Sequence, residues 1–157
     1  MEDQKQYFKG TVPPPVIFFV LLIFGYAANR IISLDFIFSA WAVRLLVGMP
    51  ILMISGIIAT TATIIMKENK TAINYNNPTT KFLTKGPFGF TRNPLYLSLL
   101  LAMCAIAVIA NSLWYLIFLV IMFFVFNFGI VAREEQYLTK CFGDEYIRYK
   151  NKVRRWI

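Results

Sequence analysis

The sequence predicts an all-α fold: a polytopic membrane helix bundle with about four transmembrane helices and a C-terminal amphipathic interfacial helix. Three observations carry that prediction. Of 157 residues, 58% are hydrophobic and only 15% charged, a mix that would leave a soluble domain of this size with apolar surface it could not cover. The uncharged stretches have the lengths that bilayers require. The basic residues then sort to one side of the spans those stretches define.

The first uncharged stretch runs from Thr11 to Asn29 and opens with Pro13, Pro14 and Pro15. Prolines suit the first turn of a helix, where the missing N–H costs nothing, so a span is expected at about 12–29. Lys5 and Lys9 would also suit the basic region of a signal peptide, but there is no convincing small-x-small cleavage site before Asn29. The second stretch, Leu45 to Met66, is free of charge and carries Gly48, Ser55, Gly56, Ala59 and Thr60. Such small residues let membrane helices approach closely, and Pro50 is a candidate kink. A span is expected at about 45–66.

From Asn93 to Ala132 there are 40 residues without a charge. One straight helix of that length would be roughly 60 Å long, twice the hydrocarbon thickness. The segment must fold back, and Asn111-Ser112 is the polar break near its middle. Spans are expected at about 94–110 and 113–132, leaving a loop at 67–93 and a C-terminal segment at 133–157.

Four spans place both termini on one side, with 14 of the 16 basic residues; Arg30 and Arg44 lie opposite. The positive-inside rule makes the termini, the 67–93 loop and the segment after Arg133 cytoplasmic. The Asn69-Lys70-Thr71 sequon would then face the wrong compartment for glycosylation. A formal charge of +8 also suits nucleic acid. Here the aromatic residues fall on a packing face, which argues for the membrane surface, and no nucleic-acid partner is expected. Histidine is absent and the two cysteines, Cys104 and Cys141, stand far apart. No metal site and no disulfide framework is expected.

Chemistry is expected where the 67–93 loop meets the C-terminal segment. The loop ends Lys85-Gly86-Pro87-Phe88-Gly89-Phe90-Thr91-Arg92-Asn93-Pro94-Leu95-Tyr96. Gly86 and Gly89 would let backbone amides approach a ligand, and Arg92 could pair with a carboxylate. The same residues also suit a plain turn with a basic anchor at the membrane surface. The fourth span ends in Arg133-Glu134-Glu135. On an α-helix Asn127 and Glu134 stand about 20° apart, a short polar stripe on an apolar helix. Two carboxylates at that end oppose the helix dipole, so Arg133, Arg92 or a cationic ligand should compensate them, unless they are simply solvated. Beyond Gly143, a helix stop, Asp144 can begin a further helix. Phe142, Tyr146, Tyr149, Val153 and Trp156 mark one apolar face, with Arg148, Lys150, Lys152, Arg154 and Arg155 around the rest. A basic amphipathic helix of this kind lies on a membrane surface.

Taken in order, Gly86, Pro87, Phe88, Phe90, Arg92, Asn93, Pro94 and Tyr96, then Glu134, Glu135 and Leu138, then Phe142, Gly143, Tyr146 and Tyr149 form a pattern. It resembles that of the isoprenylcysteine carboxyl methyltransferases, a family grouped with the phospholipid methyltransferases. The closing Val153-Arg154-Arg155-Trp156-Ile157 is similar too. Asn93 stands where many members have His, and Phe88 and Gly89 where many have Tyr and Arg. The resemblance implies a single membrane methyltransferase domain over 1–157 that binds S-adenosylmethionine at the cytoplasmic face without a Rossmann domain. It implies that Gly86, Pro87, Phe88, Arg92, Asn93 and Tyr96 line the cofactor site from one side, with Glu134 and Glu135 closing it from the other. Asn127 joins them through its place beside Glu134. Arg92, Glu134 and Glu135 are the catalytic candidates. The implied acceptor is lipid-like, a prenylated carboxylate first and a phospholipid amine second. A non-catalytic scaffold and a nicotinamide-dependent sterol-type reductase are the alternatives, the latter usually with more spans than this chain holds.

Overall fold

The computed structural model describes residues 12–35, 40–69 and 82–157. Lys5, Lys9, residues 70–81 of the 67–93 loop and with them the last two positions of the sequon lie outside them. Every named element is helical: α1 (Pro14–Ile31), α2 (Trp41–Glu68), a 3-10 turn (Gly86–Gly89), α3 (Pro94–Ala110), α4 (Leu113–Phe124), a π-helical segment (Val125–Val131) and α5 (Ala132–Lys152). The described residues form two compact units. One contains 12–57 and 96–126, the other 58–95 and 127–157.

In the first unit α1 packs against α4. The approach is close because Gly25 has no side chain; a Cβ there would sit 2.6 Å from Tyr115 Cε1. Gly48 plays the same part beside Ile109. The Ser55 hydroxyl, buried in an apolar setting, donates to the Ser98 carbonyl at 2.7 Å. The helices otherwise turn large apolar side chains outward, among them Phe19, Ile23, Leu46, Met53 and Ile57. In a water-soluble protein such a surface would aggregate; in a bilayer it is the lipid-facing one.

The turn expected at Asn111-Ser112 is present, and its chemistry is specific. Asn111 adopts a left-handed φ of 52°. Its N–H donates to Val108 O at 3.2 Å, and that of Ser112 donates to Ala107 O at 3.1 Å. This is a Schellman ending, with Asn in the place glycine usually takes. The chain after α1 then secures the start of α4: Leu113 N donates to Leu34 O at 2.9 Å, Trp114 Nε1 to Ile32 O at 2.7 Å and Ser112 Oγ to Asn29 Oδ1 at 2.8 Å.

Among the described residues three helices are long and apolar enough to cross a membrane, and α3 is a fourth apolar helix one residue shorter than the shortest of them. At 17 residues α3 still reaches about 26 Å, near the lower limit for a span. The chain is an all-α integral membrane protein. Three boundaries differ from expectation. Helix α2 begins at Trp41 and continues through Pro50 to Glu68. The fourth span is α-helical only to Phe124 and then widens into the π segment. Trp156 lies beyond the end of α5, since Val153 is already extended with φ −119° and ψ 130°. The apolar face of α5 therefore ends at Val153.

Candidate active site

The site is built in the second unit by three pieces of chain. Gly86 opens the 3-10 turn with φ 62°, a conformation in which a Cβ would also strike Ile65. Pro87 is buried, and its carbonyl accepts from Phe90 N at 3.3 Å and Thr91 N at 3.1 Å. Pro94 follows three residues later. A residue before proline is held out of the α region, so Thr91-Arg92-Asn93 cannot spend its polar groups in a local helix. It meets the extended chain that leaves α5. Arg92 N donates to Arg154 O at 3.0 Å; Thr91 Oγ1 and Asn93 Nδ2 donate to Arg155 O at 3.1 and 3.0 Å. Thr91 Oγ1 also accepts from Asn93 N at 3.2 Å. Thr91 and Asn93 are both buried, and these bonds satisfy groups that would otherwise be costly there.

The third piece is the start of α5, which supplies Glu135. Its carboxylate, with only 6% of the side chain exposed, stands between two guanidiniums. Arg92 Nη2 lies 2.8 Å from Oε1; Arg155 Nη2 lies 2.6 Å from Oε2, and Arg155 Nε donates to Oε1 at 3.1 Å. Arg92 Nη1 donates onward to Lys150 O at 2.9 Å, but its Nε is buried without a hydrogen-bond partner. Arg155 Nη1 reaches Asn127 Oδ1 at 3.0 Å, an oxygen that also accepts from Trp156 Nε1 at 3.1 Å. Hydrogen bonding to Glu135 holds the Arg155 pKa above its ordinary value. One carboxylate against two guanidiniums leaves the cluster with a formal charge of +1.

An aromatic cluster backs this arrangement. Phe82 packs its ring against Phe142, Tyr146 and Tyr149 at centroid distances of 5.1, 5.5 and 5.5 Å, with Val153 alongside. This is the apolar face read from the spacing of α5. A break at Gly143, with φ 53° and ψ −130°, separates its two halves. Tyr149 OH donates to Phe88 O at 2.7 Å, tying the helix to the 3-10 turn. Burial pushes the Tyr149 phenol up to about 12, opposed by the positive charge of Arg92. Tyr146 is raised further, by burial first and the Glu135 charge second.

Of the residues expected at the site, the structure brings together Arg92, Asn93, Asn127 and Glu135, with Phe88 joined through Tyr149. Gly86 and Pro87 shape the turn that delivers them. Glu134 is half-buried, and it is Glu135 that pairs with Arg92 and Arg155. Tyr96 belongs to the other unit, where its buried ring lies 5.3 Å from that of Phe126. Arg155 and Trp156 were missed as site residues. The one sequence signal for them was an Arg-Trp pair within the family-like ending. Among the described residues no group of three or more His, Cys, Asp or Glu is gathered in a way that could hold a metal ion.

Comparison with known proteins agrees with this architecture. An uncharacterised protein of Haemophilus influenzae is 52% identical over 64 residues, which is 40% of this chain and the whole of that relative. No solved structure matches. The model of the family described as phospholipid methyltransferase matches residues 43–145, more than half of the chain and inclusive of Arg92, Asn127 and Glu135. On that match, carried by a membrane helix bundle with a buried ionic site, the chain belongs to the phospholipid methyltransferase family and is a membrane methyltransferase.

Proposed function

We propose that the chain transfers a methyl group from S-adenosylmethionine to a lipid-like acceptor bearing a carboxylate. The supporting observation is the Arg92–Glu135–Arg155 cluster, which has one positive charge to spare and an unpaired buried Nε on Arg92. An anionic carboxylate is the chemistry that balances both, whether it comes from the methionyl end of the donor or from the acceptor. Arg92 and Arg155 would hold that carboxylate, and Glu135 would keep both guanidiniums in place. When bound, S-adenosylmethionine supplies a methyl group already activated on a sulfonium. The residues of the chain then need only orient the acceptor and exclude water.

The acceptor class follows from what Glu135 is able to do. Both its oxygens are engaged by arginine nitrogens, so it is poorly placed to take a proton. A carboxylate acceptor needs no general base, and the chain has no histidine. A prenylated cysteine carboxylate is therefore the first acceptor to test. A phospholipid amine is the second reading, favoured by the family's description; Glu134 is the residue that would serve as base. By charge distribution the site and both termini face the cytoplasm.

The test is methyl transfer from radiolabelled S-adenosylmethionine by the detergent-purified chain. Farnesylated cysteine and phosphatidylethanolamine are offered separately. Counts released as volatile methanol by alkali report a methyl ester; counts that resist alkali report N-methylation. Binding of the donor without either acceptor shows whether the donor's own carboxylate is what the arginines hold. No donor binding and no transfer in a folded sample would overturn the proposal.

A further inference from the structure

The π segment Val125–Val131 interrupts the fourth span immediately before the ionic site. On a continuous α-helix Asn127 aligns with Glu134 and lies about 80° from Glu135. A π turn bonds i to i+5, so each of its residues advances roughly 80° rather than 100°. Four such steps from Asn127 to Val131 bring Asn127 to within roughly 10° of Glu135 and leave Glu134 roughly 90° away. The contacts agree with that phase. Arg155 bridges Glu135 and Asn127, and Asn127 Oδ1 collects the N–H groups of both Arg155 and Trp156.

We infer that Asn127 is a positioning residue: turned into register with Glu135 by the π segment, it latches the C-terminal segment and fixes the Arg155 guanidinium for ligand binding. The side-chain oxygen does two things that Glu135 alone does not. It occupies the remaining terminal nitrogen of Arg155, which sets the rotation of the guanidinium plane. It also anchors the next residue, Trp156, so the C-terminal segment is held at two successive positions. Nothing else in the contacts of Asn127 requires a polar residue in an apolar segment of the sequence Val-Phe-Asn-Phe-Gly-Ile-Val. The part of this inference that concerns a ligand rests on the S-adenosylmethionine reading; the latch rests on the chain's own contacts.

The experiment uses the full chain in detergent with indole-15N tryptophan, the Trp156 resonance being assigned through Trp156→Phe. Asn127→Leu removes the acceptor at nearly constant size, Asn127→Asp retains it, and Arg155→Lys removes the fork. In Asn127→Leu the Trp156 indole N–H should shift and exchange faster, and S-adenosylmethionine affinity should fall about tenfold, the size of one lost charge-assisted hydrogen bond. Asn127→Asp should restore both. Adding Asn127→Leu to Arg155→Lys should cost less than about twofold more, because the effect runs through Arg155. An unmoved indole signal overturns the latch. A moved signal with unchanged affinity, or the full loss repeated in the Arg155→Lys background, overturns the positioning role. If Asn127→Leu does not fold, Asn127→Ala removes the same oxygen without apolar bulk. If the unmodified chain binds no S-adenosylmethionine, the donor reading falls while the indole signal still decides the latch.

Discussion

Arg155 grips Glu135 with two nitrogens, Nε at 3.1 Å and Nη2 at 2.6 Å, although twenty positions separate the two residues in the chain. That fork closes a loop made of the whole of α5. It brings the extended segment after the helix back to the first turn of α5, where the carboxylate lies. Arg92, from the segment before α3, completes the pair from the other side.

The first prediction separates the two glutamates. Glu135→Gln takes the counter-charge from the near-buried Arg92 guanidinium and the partly exposed Arg155 one, and losing one partner of a buried pair typically costs about 3 kcal/mol or more. Glu134 is only half-buried, so Glu134→Gln should cost less than Glu135→Gln, about 1 kcal/mol of stability. Thermal unfolding in detergent, with S-adenosylmethionine binding measured in parallel, ranks them. Equal destabilisation by the two would contradict the geometry. Loss of binding in a stable Glu134→Gln protein would mark Glu134 as a ligand contact.

Two glycines should respond in opposite ways. Gly86→Ala must hold φ near 62° with a Cβ pressed on Ile65, so it should destabilise by about 2 kcal/mol, most of it from the left-handed backbone. Gly129 has open space where its Cβ would sit, so Gly129→Ala should stay within about 1 kcal/mol of the parent. Melting temperatures of the two variants decide the matter.

Alkaline pH should loosen the second unit. The Tyr149 phenol is raised to about 12 in the folded chain, against about 10 when unfolded. The unfolded chain therefore gives up its proton first. The stability this group contributes is complete below about pH 10 and drains away between pH 10 and 12. Tyr146 acts in the same direction. Tyr149→Phe should flatten the dependence of melting temperature on pH over that range. It should also cost about 1 kcal/mol near neutrality through the lost bond to Phe88 O. An unchanged slope would show that other groups govern alkaline unfolding.

Orientation can be read from the native cysteines. Cys141 is exposed on α5, while Cys104 is half-buried within α3. A membrane-impermeant maleimide should leave Cys141 untouched in intact cells and modify it in inverted vesicles. Labelling from outside would reverse the proposed topology.

The sequence alone was enough for the architecture. Uncharged stretches cut to bilayer length and the Asn111-Ser112 break define the spans and their turn, because hydropathy and backbone chemistry act locally. The motif order pointed to the family and brought Arg92, Asn93, Glu135 and the aromatic face of α5 into consideration. Tertiary structure decided that Glu135 meets both Arg92 and Arg155. A reading at 100° per residue put Glu134 beside Asn127, and the π segment rotated that register so that Glu135 took the place. It also decided the part played by Arg155 and Trp156, whose partners Glu135 and Asn127 lie twenty or more positions away. Local pattern carries no information about pairings at that distance; they form only when the extended segment after α5 returns to satisfy the polar groups that Pro94 kept from a helix.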